Sequence, residues 1–327
     1  MPDAPNPAHP AHGLRAHTLK VRAVCAATAL AATLAACTLA GPPTRTPAPA
    51  ARAAAPAPGP APREQRGATL TRALRPLLPG GSTRLAVAVL DLDSADQEIA
   101  SYAAKEPFET ASISKLGILA ALLLQAQDNK RALTAAERDN AEEMIRTSDN
   151  DAASTLWQTI GKAEGLNTAH KRLGLTSTHG GPGNRWGLTR TTATDQIQLL
   201  RAIFSPRPPT TRTPQPLTPQ SRTYIQHLMA RITPDQNWGI SAAASPGSHW
   251  ALKNGWLQRT TTNHWIINTT GQITVHGHHY LLTILSNGHT TMKNGITLVE
   301  HTAKAAIGAA TTHTHPWPHQ PTRHNTA

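Results

Sequence analysis

The chain has 327 residues, with 15% charged and only 4% aromatic side chains, enough for one large domain or two ordinary ones. Its formal net charge is +12, but about half of that excess falls in the first 63 residues, and no zinc-finger spacing, RNP-like aromatic pattern or basic heptad appears. That distribution argues against a nucleic-acid partner and suits an anionic membrane surface or cell wall.

Arg15, Lys20 and Arg22 lead into an apolar stretch at 23–32 that is too short to span a bilayer, the layout of a signal peptide over residues 1–36. Leu34-Ala35-Ala36-Cys37 resembles the bacterial lipobox, which implies that Cys37 becomes the lipidated first residue of the mature chain. The expectation is therefore an exported protein, lipid-anchored to the outer face of the cell membrane. The other cysteine, Cys25, would be lost with the leader, so no intrachain disulfide is expected. Residues 37–65 are rich in Pro and Ala and cannot bury enough apolar surface to fold, which makes them a tether.

One domain is expected over 66–310. Residues 69–78 pattern as a helix, and 84–91 and 98–102 as strands separated by the turn residues Asp93, Ser94 and Asp96. A long apolar face without Pro predicts a helix over 112–127. Thr134-Ala135-Ala136-Glu137 is a capping-box signature for a further helix ending near Arg146, and 192–204 is amphipathic. Strands follow at 248–258, 264–269 and 273–286, and helix returns over 296–309. The His- and Thr-rich tail at 311–327, with His313, His315, His319 and His324, has no packing face, and no dedicated metal site is expected in it. Strands at both ends around a helical middle predict an α/β (α+β) class: one antiparallel sheet covered by helices, with an inserted helical subdomain.

Three short motifs carry chemistry. Ser112-Ile113-Ser114-Lys115 sets a hydroxyl and an amine three residues apart, on one face if a helix begins at Ser112. A lysine held neutral by burial can take the proton that makes a serine nucleophilic, and a helix start offers amides to an oxyanion. Alone, the pattern more often describes a cap serine beside a solvated lysine. Ser148-Asp149-Asn150 is by itself a helix terminus, and Lys253-Asn254-Gly255-Trp256 by itself a lysine on a strand edge. A second Lys293-Asn294-Gly295 precedes the terminal helix and reads as a turn. His276-Gly277-His278-His279 reads as an exposed hairpin tip with no acidic ligand nearby.

In this order and on these elements the three motifs resemble the S-x-x-K, S-D-N and K-T-G of class A β-lactamases and penicillin-binding proteins, over most of 66–310. Thr191-Thr192-Ala193-Thr194-Asp195 is similar to the segment that opens a helix after that family's active-site loop. The resemblance implies a β-lactamase/transpeptidase-like fold and an acyl-serine at Ser112. Lys115 would accept the proton directly or through water, and Ser148 would pass one to the leaving nitrogen. Asn150 would orient substrate and Lys115, Lys253 would hold a substrate carboxylate, and the amides of Ser112 and Trp256 would form the oxyanion hole. The implied partner is a β-lactam or a peptidoglycan stem peptide of the D-Ala-D-Ala type. A monomer is expected, with no cofactor or metal.

The sequence departs from that family in two places. The loop at 174–188 carries Arg185-Trp186-Gly187 where a glutamate that activates the deacylating water is expected, which predicts slow deacylation or another base, with His179 the candidate. Asn254 replaces a hydroxyl that contacts the substrate carboxylate, and its carboxamide can still donate. These departures also motivate a rival expectation: a surface lipoprotein of the same fold that binds cell-wall peptide or β-lactam without turnover.

Overall fold

The computed structural model describes residues 62–78, 80–205 and 215–312. The expected leader, Cys37, residues 37–61 of the tether and the tail from 313 lie outside these.

Helix α1 (Pro62–Leu74) begins four residues inside the segment expected as tether, with proline at a helix start where its missing N–H costs nothing. It ends earlier than expected because Pro76 cannot donate, and the chain goes on as a single tighter turn, Arg75–Leu77. Strands β1 (Arg84–Asp91) and β2 (Ile99–Tyr102) form the opening hairpin. The short β3 (Phe108–Glu109) and a helical turn, Ala111–Ile113, lead into α2 (Ser114–Asp128). Helices α3 (Ala135–Arg146), α4 (Asn150–Thr159) and α5 (Lys162–Arg172) follow. Then come β4 (Arg190–Thr191), α6 (Ala193–Phe204) and α7 (Pro219–Met229). Strands β5 (Trp250–Gln258), β6 (Trp265–Val275) and β7 (His278–His289), and helix α8 (Met292–Thr311), complete the chain.

The main sheet has the order β2-β1-β7-β6-β5 with every neighbouring pair antiparallel, so the first strands close against the last. Alternation along β1 explains the two cores. Ala86, Ala88 and Leu90 face the helices α2 to α7, while Leu85, Val87 and Val89 face Leu70 and Leu74 of α1 and Val299 and Ala303 of α8. Helix α2 is buried from Ser114 through Leu124 on every side, as expected of a central helix enclosed by others. The capping box at Thr134 and Glu137 is present in both directions.

Further strand and helix assignments differ from the sequence pattern. Thr270, Gly271 and Gln272 do not form the turn expected between two strands; they continue β6, where the Thr270 and Thr283 hydroxyls lie 2.7 Å apart and satisfy each other, and the turn falls at His276-Gly277. Lys293-Asn294-Gly295 is the first turn of α8, capped by the Thr291 side chain, which accepts from the Asn294 N–H at 3.1 Å. No helix among the described residues is long and apolar enough to cross a membrane.

Candidate active site

The sheet edge β5, the turn before α2 and the start of α4 meet around a cleft of about 150 Å³ whose walls include Ser112, Ser148, Asn150, Trp186, Gly187 and Trp256. Ser112 does not open α2 as expected; it sits in the middle of the Ala111–Ile113 turn, two residues before the helix proper. Two non-glycine residues of this region take left-handed backbone, Ala111 at φ +47° and Ser148 at φ +61°, conformations that cost energy and persist where the surroundings enforce them.

Asn268 of β6 supplies part of that enforcement. Its Nδ2 donates to the carbonyls of Glu109 and Thr110 at 2.9 and 3.0 Å, fastening the chain just ahead of Ser112 to the sheet. Gly255 supplies the rest: a Cβ there would lie 2.7 Å from the Thr110 carbonyl oxygen and 2.9 Å from the Ser112 nitrogen, so only glycine lets β5 run so close to the serine turn.

Lys115 is fully buried and its Nζ donates to the Ser148 carbonyl oxygen at 2.6 Å, Ser148 Oγ at 3.1 Å and Asn150 Oδ1 at 2.9 Å. Among the described residues no hydrogen bond joins it to Ser112 Oγ. Burial pushes the Lys115 pKa down to about 7, opposed only by the Asp149 carboxylate. The Trp186 ring lies 4.7 Å from the same Nζ, and its Nε1 donates to Ser154 Oγ at 3.2 Å.

Lys253 is also fully buried. Its Nζ donates to Ser148 Oγ at 2.9 Å, the Asn254 carbonyl at 3.2 Å and Gln236 Oε1 at 3.5 Å. Burial and the neighbouring Lys115 hold its pKa well below the lysine range. Asn254 differs from the expectation that its amide is free to donate: Nδ2 is committed to the carbonyls of Gln236 and Trp238 at 2.8 and 2.9 Å, and Oδ1 is buried with no donor.

Asp149 caps α4 by accepting from the Ala152 N–H at 2.7 Å, as a structural residue would. His179 does not line the cleft. Its backbone pairs with Arg190 in both directions and its side chain is exposed, so it is not placed to act as a base there. Trp186 and Gly187 occupy the cleft wall, and none of its lining residues is acidic.

Sequence reasoning missed Asn268 and Gln236. Each is a buried amide in a polar stretch, and nothing local distinguishes it from a loop residue. It also missed the acidic neighbours of the β6–β7 turn: His278 Nδ1 lies 3.3 Å from Asp91 Oδ2 and His279 Nδ1 lies 3.0 Å from Asp93 Oδ2, because β1 ends beside that turn. These pairs tie the hairpin to β1.

The family model described as "Beta-lactamase enzyme family" matches residues 69–137 and 137–314. Among curated proteins, the chain is 31% identical over 120 residues to "Putative lipoprotein LppW" of Mycobacterium tuberculosis, a match covering 37% of this chain and 38% of that protein. The match thus spans well under half the length of that relative. Among solved structures, PBP-A is similar with a TM-score of 0.63 at 19% identity, covering 75% of this chain and 96% of that one. A mutant of PBP-A has been solved as an acyl-enzyme complex with penicillin G. A beta lactamase from Burkholderia vietnamiensis is similar with a TM-score of 0.62 at 18% identity, covering 76% of this chain and 97% of that one. At these identities the likeness establishes the fold.

Proposed function

The chain belongs to the beta-lactamase enzyme family, and from that premise we propose that it is a serine hydrolase whose Ser112 is acylated by a β-lactam or a D-Ala-D-Ala-type peptide. The observation that carries this reading is the convergence of Lys115 and Lys253 on Ser148 Oγ beside a cleft that Ser112 also lines. Ser112 Oγ attacks the carbonyl carbon while its proton passes to the neutral Lys115 amine. The tetrahedral oxyanion lies at the amides of Ser112 and Trp256. The C–N bond then breaks as the nitrogen takes the Ser148 proton, which Lys115 or Lys253 restores. Asn150 keeps Lys115 oriented through its Oδ1.

Hydrolysis of the acyl-serine is the slow step, since no carboxylate lines the cleft to activate water. We further propose export and lipid anchoring at Cys37, supported by the lipobox-like Leu34-Ala35-Ala36-Cys37 and by the name of the mycobacterial relative. The same acid-free wall favours a second reading, a surface protein that captures an acyl donor and holds it without turnover. Intact-mass time courses with a penicillin distinguish these readings. A transient adduct on wild type that is absent from Ser112→Ala supports hydrolysis, a permanent one supports capture, and none at all overturns both.

A further inference from the structure

The β6–β7 turn brings together side chains that take no part in the chemistry at Ser112. His276 and Gly277, with left-handed backbone at φ +50° and +84°, reverse the chain so tightly that β7 starts beside the end of β1. His278 is thereby set against Asp91, the last residue of β1, and against Asp93 in the turn that follows it. The ligand atoms of these three residues all lie within 4.8 Å of one another.

Spacing and charge separate this group from an ordinary cluster of surface acids. His278 Nδ1 lies 3.3 Å from Asp91 Oδ2. That is long for an N–H···O hydrogen bond and close to the roughly 3.4 Å between two ligands of a tetrahedral zinc ion. The Asp91 side chain is only 10% exposed, yet among the described residues no lysine or arginine pairs with it or with Asp93. Arg66, on the same cavity wall, is committed to Asp96 through hydrogen bonds of 2.9 and 2.5 Å. A buried carboxylate is ordinarily paired with a cation or bound to a metal, and two carboxylates beside neutral imidazoles match the charge of one divalent ion.

The donors are also held in place. Asp91 Oδ1 accepts from the Asp93 N–H at 2.9 Å, which leaves Oδ2 to the side of His278. Asp93 Oδ2 accepts from the His279 N–H at 2.7 Å and lies 3.0 Å from the Nδ1 of that residue, so His279 orients the carboxylate from behind. The three residues share the wall of a cavity of about 370 Å³ with Asp96 and Glu98, a polar space wide enough for water as a further ligand.

We propose that Asp91, Asp93 and His278 form a zinc site with one position open to this cavity, and that His279 positions Asp93. One imidazole nitrogen and two carboxylates favour zinc over calcium and magnesium, which take a larger, all-oxygen shell. The ion fastens the β6–β7 turn to β1 and stabilises the folded chain by mass action.

The test strips the full chain with a chelator and titrates it with zinc, reading stoichiometry and affinity by calorimetry and the thermal midpoint at each concentration. His313, His315, His319 and His324 offer competing nitrogens, so a variant with all four changed to alanine is run alongside. The expected result is one zinc equivalent that survives in the tail variant, weakens by on the order of 100-fold or more in His278→Ala and Asp91→Asn, and by about 10-fold in His279→Ala. The midpoint rises with zinc in the wild type and the tail variant and stays flat in His278→Ala, a change at a side chain 42% exposed that leaves both cores intact. Zinc bound undiminished by His278→Ala, or lost with the tail histidines, is an adventitious ion only and overturns the proposal. Calcium or magnesium binding more tightly than zinc overturns it as well.

Discussion

Lys115 Nζ and Lys253 Nζ lie 3.1 and 2.9 Å from the same atom, Ser148 Oγ. Burial together with the neighbouring Lys115 holds Lys253 well below the lysine range, and burial leaves Lys115 with a pKa of about 7.

That value sets a pH dependence. Acylation of Ser112 should rise through pH 7 as Lys115 loses its proton, far below the ordinary lysine range. Stability should follow the same direction. The unfolded chain holds the Lys115 proton from about pH 7 up to the usual lysine value while the folded chain does not, so stability rises with pH across that window and is lowest beneath it. Denaturation midpoints at pH 6 and 9 check this. In Lys115→Met the rise should shrink and acylation should fall by roughly 10²–10⁴-fold.

Trp186 acts on the same amine from the other side. Its ring, 4.7 Å from Nζ, favours the ammonium, so Trp186→Ala should shift the acylation limb to lower pH by about 0.5–1 unit, the size of a partly desolvated cation–π contact. Trp186→Phe should recover part of the shift. An unmoved pH profile in the alanine variant would mean that the ring only fills space.

Gly255→Ala drives a methyl group against the Thr110 carbonyl and the Ser112 amide. Overpacking of backbone by backbone cannot be relieved by a rotamer change, and a loss of about 1–3 kcal/mol is expected, together with loss of acylation as the serine turn is pushed off β5. Thermal unfolding and adduct formation are read on the same samples. A variant as stable and as reactive as wild type would contradict the close approach.

His179→Ala should leave the deacylation rate unchanged, because the side chain is exposed and outside the cleft wall. The measurement is decay of a penicilloyl adduct after excess drug is removed. A large slowing would restore that histidine as the base.

The architecture and the order of the three motifs were legible in the sequence because each rests on local pattern: alternation in β1, the capping box at Thr134, serine and lysine three residues apart. What was not legible depends on distant neighbours. The run Thr270-Gly271-Gln272 looks like a turn until Thr283 on β7 supplies a partner for Thr270. Asn254 looks like a donor until the loop carrying Gln236 and Trp238 folds over it. Ser112 looks like a helix start, yet the strained Ala111 before it makes a separate turn. The acids beside His278 and His279 come from the end of β1 and the turn that follows it, far away in sequence.

The pairing of β1 with β7, in which Arg84 lies opposite Asn287, has a temporal consequence. The innermost ladder of the sheet joins segments separated by nearly the whole domain, and contacts of that kind carry a large loop-closure cost and form slowly. Until β7 is present, β6 has no inner neighbour on which to carry Asn268, the residue that anchors the backbone ahead of Ser112. The turn that carries Ser112 is therefore anchored only after β7 has been made, and a chain interrupted before β7 carries the three motifs without the sheet that brings them together.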